Sequence, residues 1–543
     1  MSGIYWRSPE TGKTYSLDRS PWHDNQNTVA SWIEVKDKIT SKSYTQKDLE
    51  LLRARNKKVR IRAVLLDDNY NEVSDLVGTI RSTSYDIDSD SDIRRVSTLT
   101  MLVQDKSNLN NFEEIWISHM VELSIGIYDA AFLDYVWYPL GRMLMKSGSS
   151  KYNATTQEVK MSLVDLMANV TEDRGSQMGV DMLIPAGSNI RNALISVITT
   201  LSEFKRYNIP EFEDVVPYDI EVSAGNYPFE ALKSLLGLFP YYEMFFDHEG
   251  VFTVQQIPTK IEDEVDIGAD VIDELLIDVE KNSNFNVVKN TTEIWGRELN
   301  PKYMSTSCVS NNETYKLTID EYENLTTGDT FGFVPDTACK SGQMLGINNI
   351  DPIKIYVESG TGYYSELSDE EMQVDVAYVV KYVYIDEPRF VLQGELFIHV
   401  IVQEVAEMPS EEEQARFIAS NACNNVRWIV NPDSPYACPL EPTTGRIERE
   451  MRQVLEGGEY SSIYTTQLAY ERASYENWLK TRVQDTVTLQ MILIPWMDVN
   501  QKIQFTSPIS GEVETLIVQS ISYDFARWTM TVKGRKFYPY YPW

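Results

Sequence analysis

The side chains able to do chemistry are few, and their spacing does not assemble them. His23, His119, His248 and His399 sit in unrelated contexts, and the sequence contains no HExxH, no GxSxG nucleophile elbow and no GxxxxGKS phosphate loop. Asp86, Asp88, Asp90 and Asp92 alternate like the first ligands of a calcium loop. Such a loop needs Gly at its sixth position and Glu at its twelfth, where this chain has Ser91 and Ser97, so a polar hairpin tip is the better reading. Asp247, His248 and Glu249 offer acid, base and metal-ligand chemistry side by side. Neighbours in a tight turn point in different directions, however, and the turn is favoured over a site. A glycosidase needs two carboxyls about 5 to 9 Å apart, and among 81 acidic residues such pairs arise by chance. Cys308, Cys339, Cys423 and Cys438 are widely spaced without a CxxC pair, which indicates neither a zinc site nor a disulfide framework. The expectation is no catalytic residue, no cofactor and no metal.

Composition bounds what must position such residues. A chain of 543 residues exceeds what one hydrophobic core usually organises, so about three or four domains are expected. Its 43% hydrophobic and 11% aromatic content is that of a globular protein, and a net charge of −32 argues against a groove that grips phosphates. The N-terminal stretch has no basic start followed by an apolar core, and FLDYVWYPLGRMLM is broken by Asp134, Pro139 and Arg142. A soluble chain made in a reducing cytoplasm is expected. Without secretion, the glycosylation-like triplets at Asn153, Asn169, Asn290, Asn312 and Asn324 are chance matches.

The elements are mostly strands. Val59, Ile61, Ala63 and Leu65 alternate with Lys58, Arg60 and Arg62, and period two predicts a half-buried strand. With a turn at Asp67 to Asn71 and further β-rich runs at Leu76 to Ile80 and Val96 to Val103, residues 58–103 read as two joined hairpins in a meander. Val121 to Tyr128 and Glu158 to Asp165, around a GSSKYN loop at Gly148 to Asn153, would complete an N-terminal barrel. Ser188 is the expected N-cap of a helix with Ile190, Leu194, Val197, Ile198 and Leu201 on one face. A second helix, Pro228 to Leu238, leads into a hairpin turning at Asp247 to Gly250, which makes residues 170–258 an α+β region. A second barrel begins after Ile261, and Gly-rich turns between aromatic strands over 301–400 look like an insertion on it. Ser410 and Glu413 form a capping box, and a helix from about Thr465 to Arg482 puts Leu468, Tyr475, Trp478 and Leu479 on one side. A second hairpin pair, Val487 to Phe505 and Thr515 to Val532, closes the chain.

The C-terminal segment 445–505 resembles the tail hub, or baseplate hub, proteins of long-tailed bacteriophages. The resemblance is carried by GGEY at Gly457 to Tyr460, the LAYERA helix, Arg482 with Asp485, and IPWMDVNQKI at Ile494 to Ile503. Earlier segments are similar to the family in the same order: VRIRAVLLDDN, IRRVSTLTM, SLVDLMANV at Ser162 to Val170, LIPAGSNIRNAL at Leu183 to Leu194, and YEMFFDHEGVFTVQQIP at Tyr242 to Pro258. Residues 1 to about 45 and about 301 to 400 lie outside it.

That resemblance implies a β-rich, multidomain α+β fold with two tube-like β-barrels joined by an α+β domain and a β-rich inserted segment. The expected divisions are an N-terminal extension (1–50), a first tail-tube-like barrel (51–168), the α+β domain (169–258), the start of a second barrel (259–310), the insertion (311–400), and the barrel's remainder with helices and an aromatic tail (401–543). The implied role is structural. A homotrimer at the virion tail tip, assembled in the host cytoplasm, would match a sixfold tube to a threefold tip. It would contact the distal tail protein or tail tube ring, the tape measure protein, and the central spike or fibres, and DNA would pass without specific binding. If part of the −32 charge lines that channel, it would repel phosphates. Phe537, Tyr538, Tyr540, Tyr541 and Trp543 either dock the next component or pack on their own domain. The alternative class is a tail-tip hydrolase or a carbohydrate-binding protein, with Tyr363 and Tyr364 of the insertion as candidate contacts.

Overall fold

The computed structural model describes residues 45–538 apart from 55–56, 77, 104–111, 154–155, 202–205, 213–214, 217–218, 239–241, 312, 359–363, 375, 433, 435, 439–449 and 482–483. It also describes three short strands nearer the N-terminus, Tyr5–Arg7, Thr14–Ser16 and Ile33–Glu34. The architecture is a β-rich, multidomain α+β one.

Alternating apolar and polar residues generate the largest sheet, of twelve strands. In chain order they are β1 (Val59–Leu66), β2 (Glu72–Asp75), β3 (Thr79–Asp88), β4 (Arg95–Val103), β5 (Met120–Asp129), β6 (Asp134–Asn153), β7 (Thr156–Asp165), β8 (Leu276–Asn284), β9 (Gln484–Ile492), β10 (Lys502–Thr506), β11 (Val513–Asp524) and β12 (Thr529–Lys536). Their spatial order is β8-β9-β12-β11-β3-β4-β7-β6-β5-β1-β2, with β10 on β11. The seam between the two ends of the chain is β3 on β11, antiparallel, with Tyr85 opposite Tyr523 and Ser84 opposite Asp524. One apolar core unites Leu99, Met101 and Ile125 of the N-terminal strands with Val487, Leu489, Met530 and Val532 of the C-terminal ones.

Three sequence expectations are corrected here. Residues 58–103 do form two hairpins, β1–β2 and β3–β4, but not a meander. The free edge of β1 is taken by β5, which forces β3 and β4 to the far side of β7. Val487 to Phe505 is not a hairpin, because β9 pairs with β8 and β12 while β10 pairs with β11. The intervening Ile494, Trp496, Met497 and Val499 are buried in the core, so the chain dives inward instead of turning back. GSSKYN is strand, not loop: β6 runs on through Asn153 and stays paired with β7.

Beside this sheet, helices Ile190–Leu201 and Pro228–Leu236 and the hairpin Tyr242–Phe246/Phe252–Gln256 share a second core with Val64, Leu66 and Val164 of the sheet. The first helix is capped by Asn189, whose Oδ1 accepts from Asn192 N at 3.0 Å, one residue beyond the expected Ser188. Further on, Val426–Val430, Phe397–Val405, Thr291–Glu298 and Arg452–Leu455 form a four-stranded sheet covered by helix Thr466–Lys480. Between its two central strands the chain makes a nine-stranded excursion with its own core of Tyr315, Phe331, Phe333, Val380 and Phe390. Helix Glu411–Asn421 carries the expected Ser410/Glu413 capping box. Among the described residues no helix is long and apolar enough to cross a membrane.

Candidate functional site

The most heavily built polar site lies where the large sheet, the α+β region and the loop before β10 meet. Arg95 opens β4 and Arg94 immediately precedes it; they are 2% and 4% exposed. The Arg94 guanidinium donates to the Glu243 carboxylate and lies 3.9 Å from the Phe245 ring. Glu243 also accepts from Asn500 and, at 2.7 Å, from Gln255 Nε2. Arg95 donates to the Phe246 carbonyl and to the Asp498 carboxylate, and its backbone N–H donates to Asp165 at 3.0 Å. Asp165 in turn accepts from Met167 N at 2.9 Å. Four segments that carry the family resemblance therefore converge here: IRRVSTLTM, SLVDLMANV, YEMFFDHEGVF and IPWMDVNQKI. Reading them as strands and turns missed that their polar residues serve one clamp. The signal available was a doubled arginine, which a core admits only with acidic partners, at the start of a strand whose inner face carries Leu99, Met101 and Val103.

A cavity of about 880 Å³ adjoins the clamp, walled by Arg95, Tyr138, Asp247, His248, Trp496 and Asp498 among others. Asp247 and His248 of the sequence trio thus do reach a cavity wall, while the Glu249 carbonyl accepts from Arg142. Asp247 Oδ1 accepts from Glu249 N and Val251 N, both at 2.9 Å, so it also closes the predicted turn. Burial holds its carboxyl above the usual range despite those bonds. The aspartate series is dispersed round the β3–β4 tip: Asp86 accepts from Ser522 Oγ at 2.5 Å, Asp88 from Asp90 N at 2.9 Å, and Asp92 pairs with Lys233 at 3.2 Å. Among the described residues no three His, Cys, Asp or Glu side chains gather closely enough to hold a metal ion.

The face of the large sheet turned away from its core is rich in hydroxyls. Ser147, Ser162, Thr98 and Ser84 stand opposite one another on β6, β7, β4 and β3. A neighbouring row runs Asp86, Ser522, Thr531 and Gln490 across β3, β11, β12 and β9. The charges interleaved there include Asp86, Lys160, Asp524 and Lys533, of both signs. Near the β1 edge, Lys58, Arg60 and Arg62 lie over Tyr128, Tyr135 and Trp137 at 5.0, 4.9 and 6.0 Å.

A second polar cluster stands at the neck of the insertion. His399 Nε2 lies 2.8 Å from Glu293 Oε1, Arg452 donates to Glu293 Oε2 at 2.6 Å, and the Trp295 ring stacks on the imidazole at 3.7 Å. Burial holds His399 below its ordinary value. Burial would raise Glu293, but the bonds from Arg452 and His399 outweigh it and keep the carboxyl low. No hydroxyl or thiol nucleophile bonds to this imidazole ring among the described residues; Cys423 Sγ donates to the carbonyls of His399 and Asn425, at 3.5 and 3.4 Å. At the C-terminus, Phe537 packs back on its own domain, with its N–H on the Thr515 carbonyl at 2.8 Å and the Lys502 ammonium 4.4 Å from its ring. Tyr363, Tyr540, Tyr541 and Trp543 lie outside the described residues.

A family described as a domain of unknown function (DUF5048) matches residues 437–541. No curated protein matches the chain. Among solved structures, the fold is similar to the tail protein from Neisseria meningitidis MC58, at 7% identity and TM-score 0.43, covering 88% of this chain and 96% of that one. It is similar to the 43 kDa tail protein of prophage MuSo2 from Shewanella oneidensis, at 9% identity and TM-score 0.38, covering 87% and 98%. Prophage tail protein gp18 from Listeria monocytogenes EGD-e is similar at 8% identity and TM-score 0.37, covering 87% and 94%.

Proposed function

We propose that this chain is a structural protein of a phage tail, the hub at its distal end, and that it works as a homotrimeric ring through which the tape measure protein and then DNA pass. The observation that carries this reading is the twelve-stranded sheet welded from both ends of the chain, with a wide outward face of Ser and Thr. Each subunit then supplies two tube-like halves, β1–β7 and β8–β12, and three subunits present six such halves to a sixfold tube. The domain divisions 1–50, 51–168, 169–258, 259–310, 311–400 and 401–543 belong to the same reading. In this reading the wall is hydrated, with hydroxyls and charges of both signs interleaved, so phosphates meet no uniformly cationic surface. The acidic excess then serves solubility more than repulsion in the channel. The role is structural and not catalytic, with the distal tail ring, tape measure and central spike or fibres as partners at the virion tail tip, after assembly in the host cytoplasm.

Mass photometry and electron microscopy of the purified chain, alone and mixed with its neighbouring tail proteins, test the reading. Threefold rings support it; a monomer that stays monomeric in both samples overturns it. A second reading concerns the insertion alone. Its outer face sets Arg389 4.5 Å from the Tyr364 ring and 5.8 Å from that of Tyr356, an aromatic and polar surface of the kind that recognises glycans. Binding of the chain to host cell-surface polysaccharide, lost in Tyr364→Ala, would assign recognition to it.

A further inference from the structure

The buried clamp holds more carboxylates than guanidinium groups. Arg94 and Arg95 face four carboxylates, Asp165, Glu243, Asp247 and Asp498. Glu243 pairs with Arg94 and Asp498 with Arg95, while Asp165 and Asp247 accept mainly backbone N–H groups. Both of these are buried, at 1% and 7% exposed, and burial pushes both carboxyls upward. A buried carboxylate lacking a cation is expensive to keep ionised. The His248 imidazole also acts on Asp247, whereas Lys502 is engaged elsewhere: its ammonium donates to the carbonyls of Lys260, Ile261 and Asp263, at 3.2, 2.9 and 2.9 Å.

Of these four carboxylates, Asp247 and Asp498 line the cavity of about 880 Å³, within the range of roughly 300–1,000 Å³ typical of ligand sites. Its more exposed wall adds Asp263, Glu264 and Asp266, and its apolar wall includes Tyr138 and Trp496, whose ring centroids are 5.4 Å apart. We propose that this cavity is a socket for a cationic side chain, a lysine or arginine carried on an extended segment of a partner protein. The carboxylates would meet the charged head and the rings would cover its methylene stem. The volume suits a peptide segment better than a single ion, and the described residues gather no metal-binding trio. This inference stands apart from the hub assignment, since it needs only the charge and shape of the junction.

The probe is pentalysine, titrated calorimetrically into the full chain at low salt, with pentaglutamate as the opposite-charge control. Asp247→Asn keeps an oxygen for the turn and removes the charge; Glu264→Gln removes an exposed wall charge; Glu411→Gln removes a charge on a distant helix. One-site binding is expected, weakened about tenfold or more by Asp247→Asn, measurably by Glu264→Gln, and not at all by Glu411→Gln. Absence of binding, or equal weakening by all three variants, overturns the socket and assigns any attraction to the overall charge. Should Asp247→Asn unfold, Glu264→Gln against Glu411→Gln decides alone.

Discussion

Arg95 and Asp498 stand 403 residues apart in the chain and share one ion pair, with the arginine side chain almost wholly buried. That pair fastens the start of β4 to the loop before β10. Asp498→Ala leaves the guanidinium without its carboxylate and should cost about 3–5 kcal/mol. Urea unfolding should show the loss; a change under about 1 kcal/mol would mean that Asp165 and Asp247 suffice to hold Arg95.

The seam between β3 and β11 should behave as one unit. Tyr85 and Tyr523 meet edge to face with ring centroids 5.3 Å apart, and Tyr85 Oη donates to the Leu140 carbonyl at 2.5 Å. Tyr523→Ala should cost about 3–5 kcal/mol, and Tyr85→Phe about 1 kcal/mol. In both variants hydrogen exchange should rise in β3 and in β9–β12 alike. Exchange confined to one end of the chain would show that the two halves open independently.

Acid should weaken the neck of the insertion. His399 titrates below 6.5 in the folded chain and near 6.5 when unfolded, so the unfolded chain takes the proton first and stability falls as pH drops below 6.5. Glu293, held low, adds a loss at lower pH, since its contribution is complete above 4.5 and disappears as pH falls through its folded value. Asp165 and Asp247 run the other way: their pKa values are raised in the fold, so their unfavourable contribution shrinks as pH falls toward 3.8. His399→Gln isolates the first of these terms. Its unfolding midpoint should depend less on pH than that of the wild type between about pH 7 and 5, and parallel curves would exclude the imidazole as the source.

The insertion should be removable. Glu298 lies opposite Phe397, and Leu299 N donates to the Leu396 carbonyl at 2.7 Å, so the chain leaves and returns at adjacent points. Replacing residues 300–395 by Asn-Gly, a pair suited to a two-residue hairpin turn, should leave the melting of the large sheet within a few degrees of the parent. Failure of that shortened chain to fold would show that the inserted core supports the rest.

Much of this architecture was legible because strands announce themselves by period two. Val59 to Leu65, Val121 to Tyr128 and the Asp247 to Gly250 turn stand where alternation and turn chemistry put them. Neighbour order was not legible, since no local pattern tells β3 that its partner is β11 and not β2. The GSSKYN run misled because Gly and Ser favour turns when isolated, yet pairing with β7 holds them extended. The clamp was hidden for a similar reason: Arg95, Asp165, Glu243 and Asp498 look like surface residues until four separate segments fold onto one another. Asp247 was noticed for its neighbours His248 and Glu249, and both act on it, but burial and Arg95, distant in sequence, also shape its surroundings.

The β3–β11 seam also dictates timing. Ser522, which bonds Asp86, is made 436 residues after it, roughly 20 to 90 seconds later at common translation rates of about 5–20 residues per second. Throughout that interval the β3 edge has no neighbour and remains open to strand addition by other nascent chains. Polar Ser82, Ser84 and Asp88 along it limit such mispairing. The largest core closes only once β9–β12 have been made, so a product lacking those strands cannot present the finished sheet.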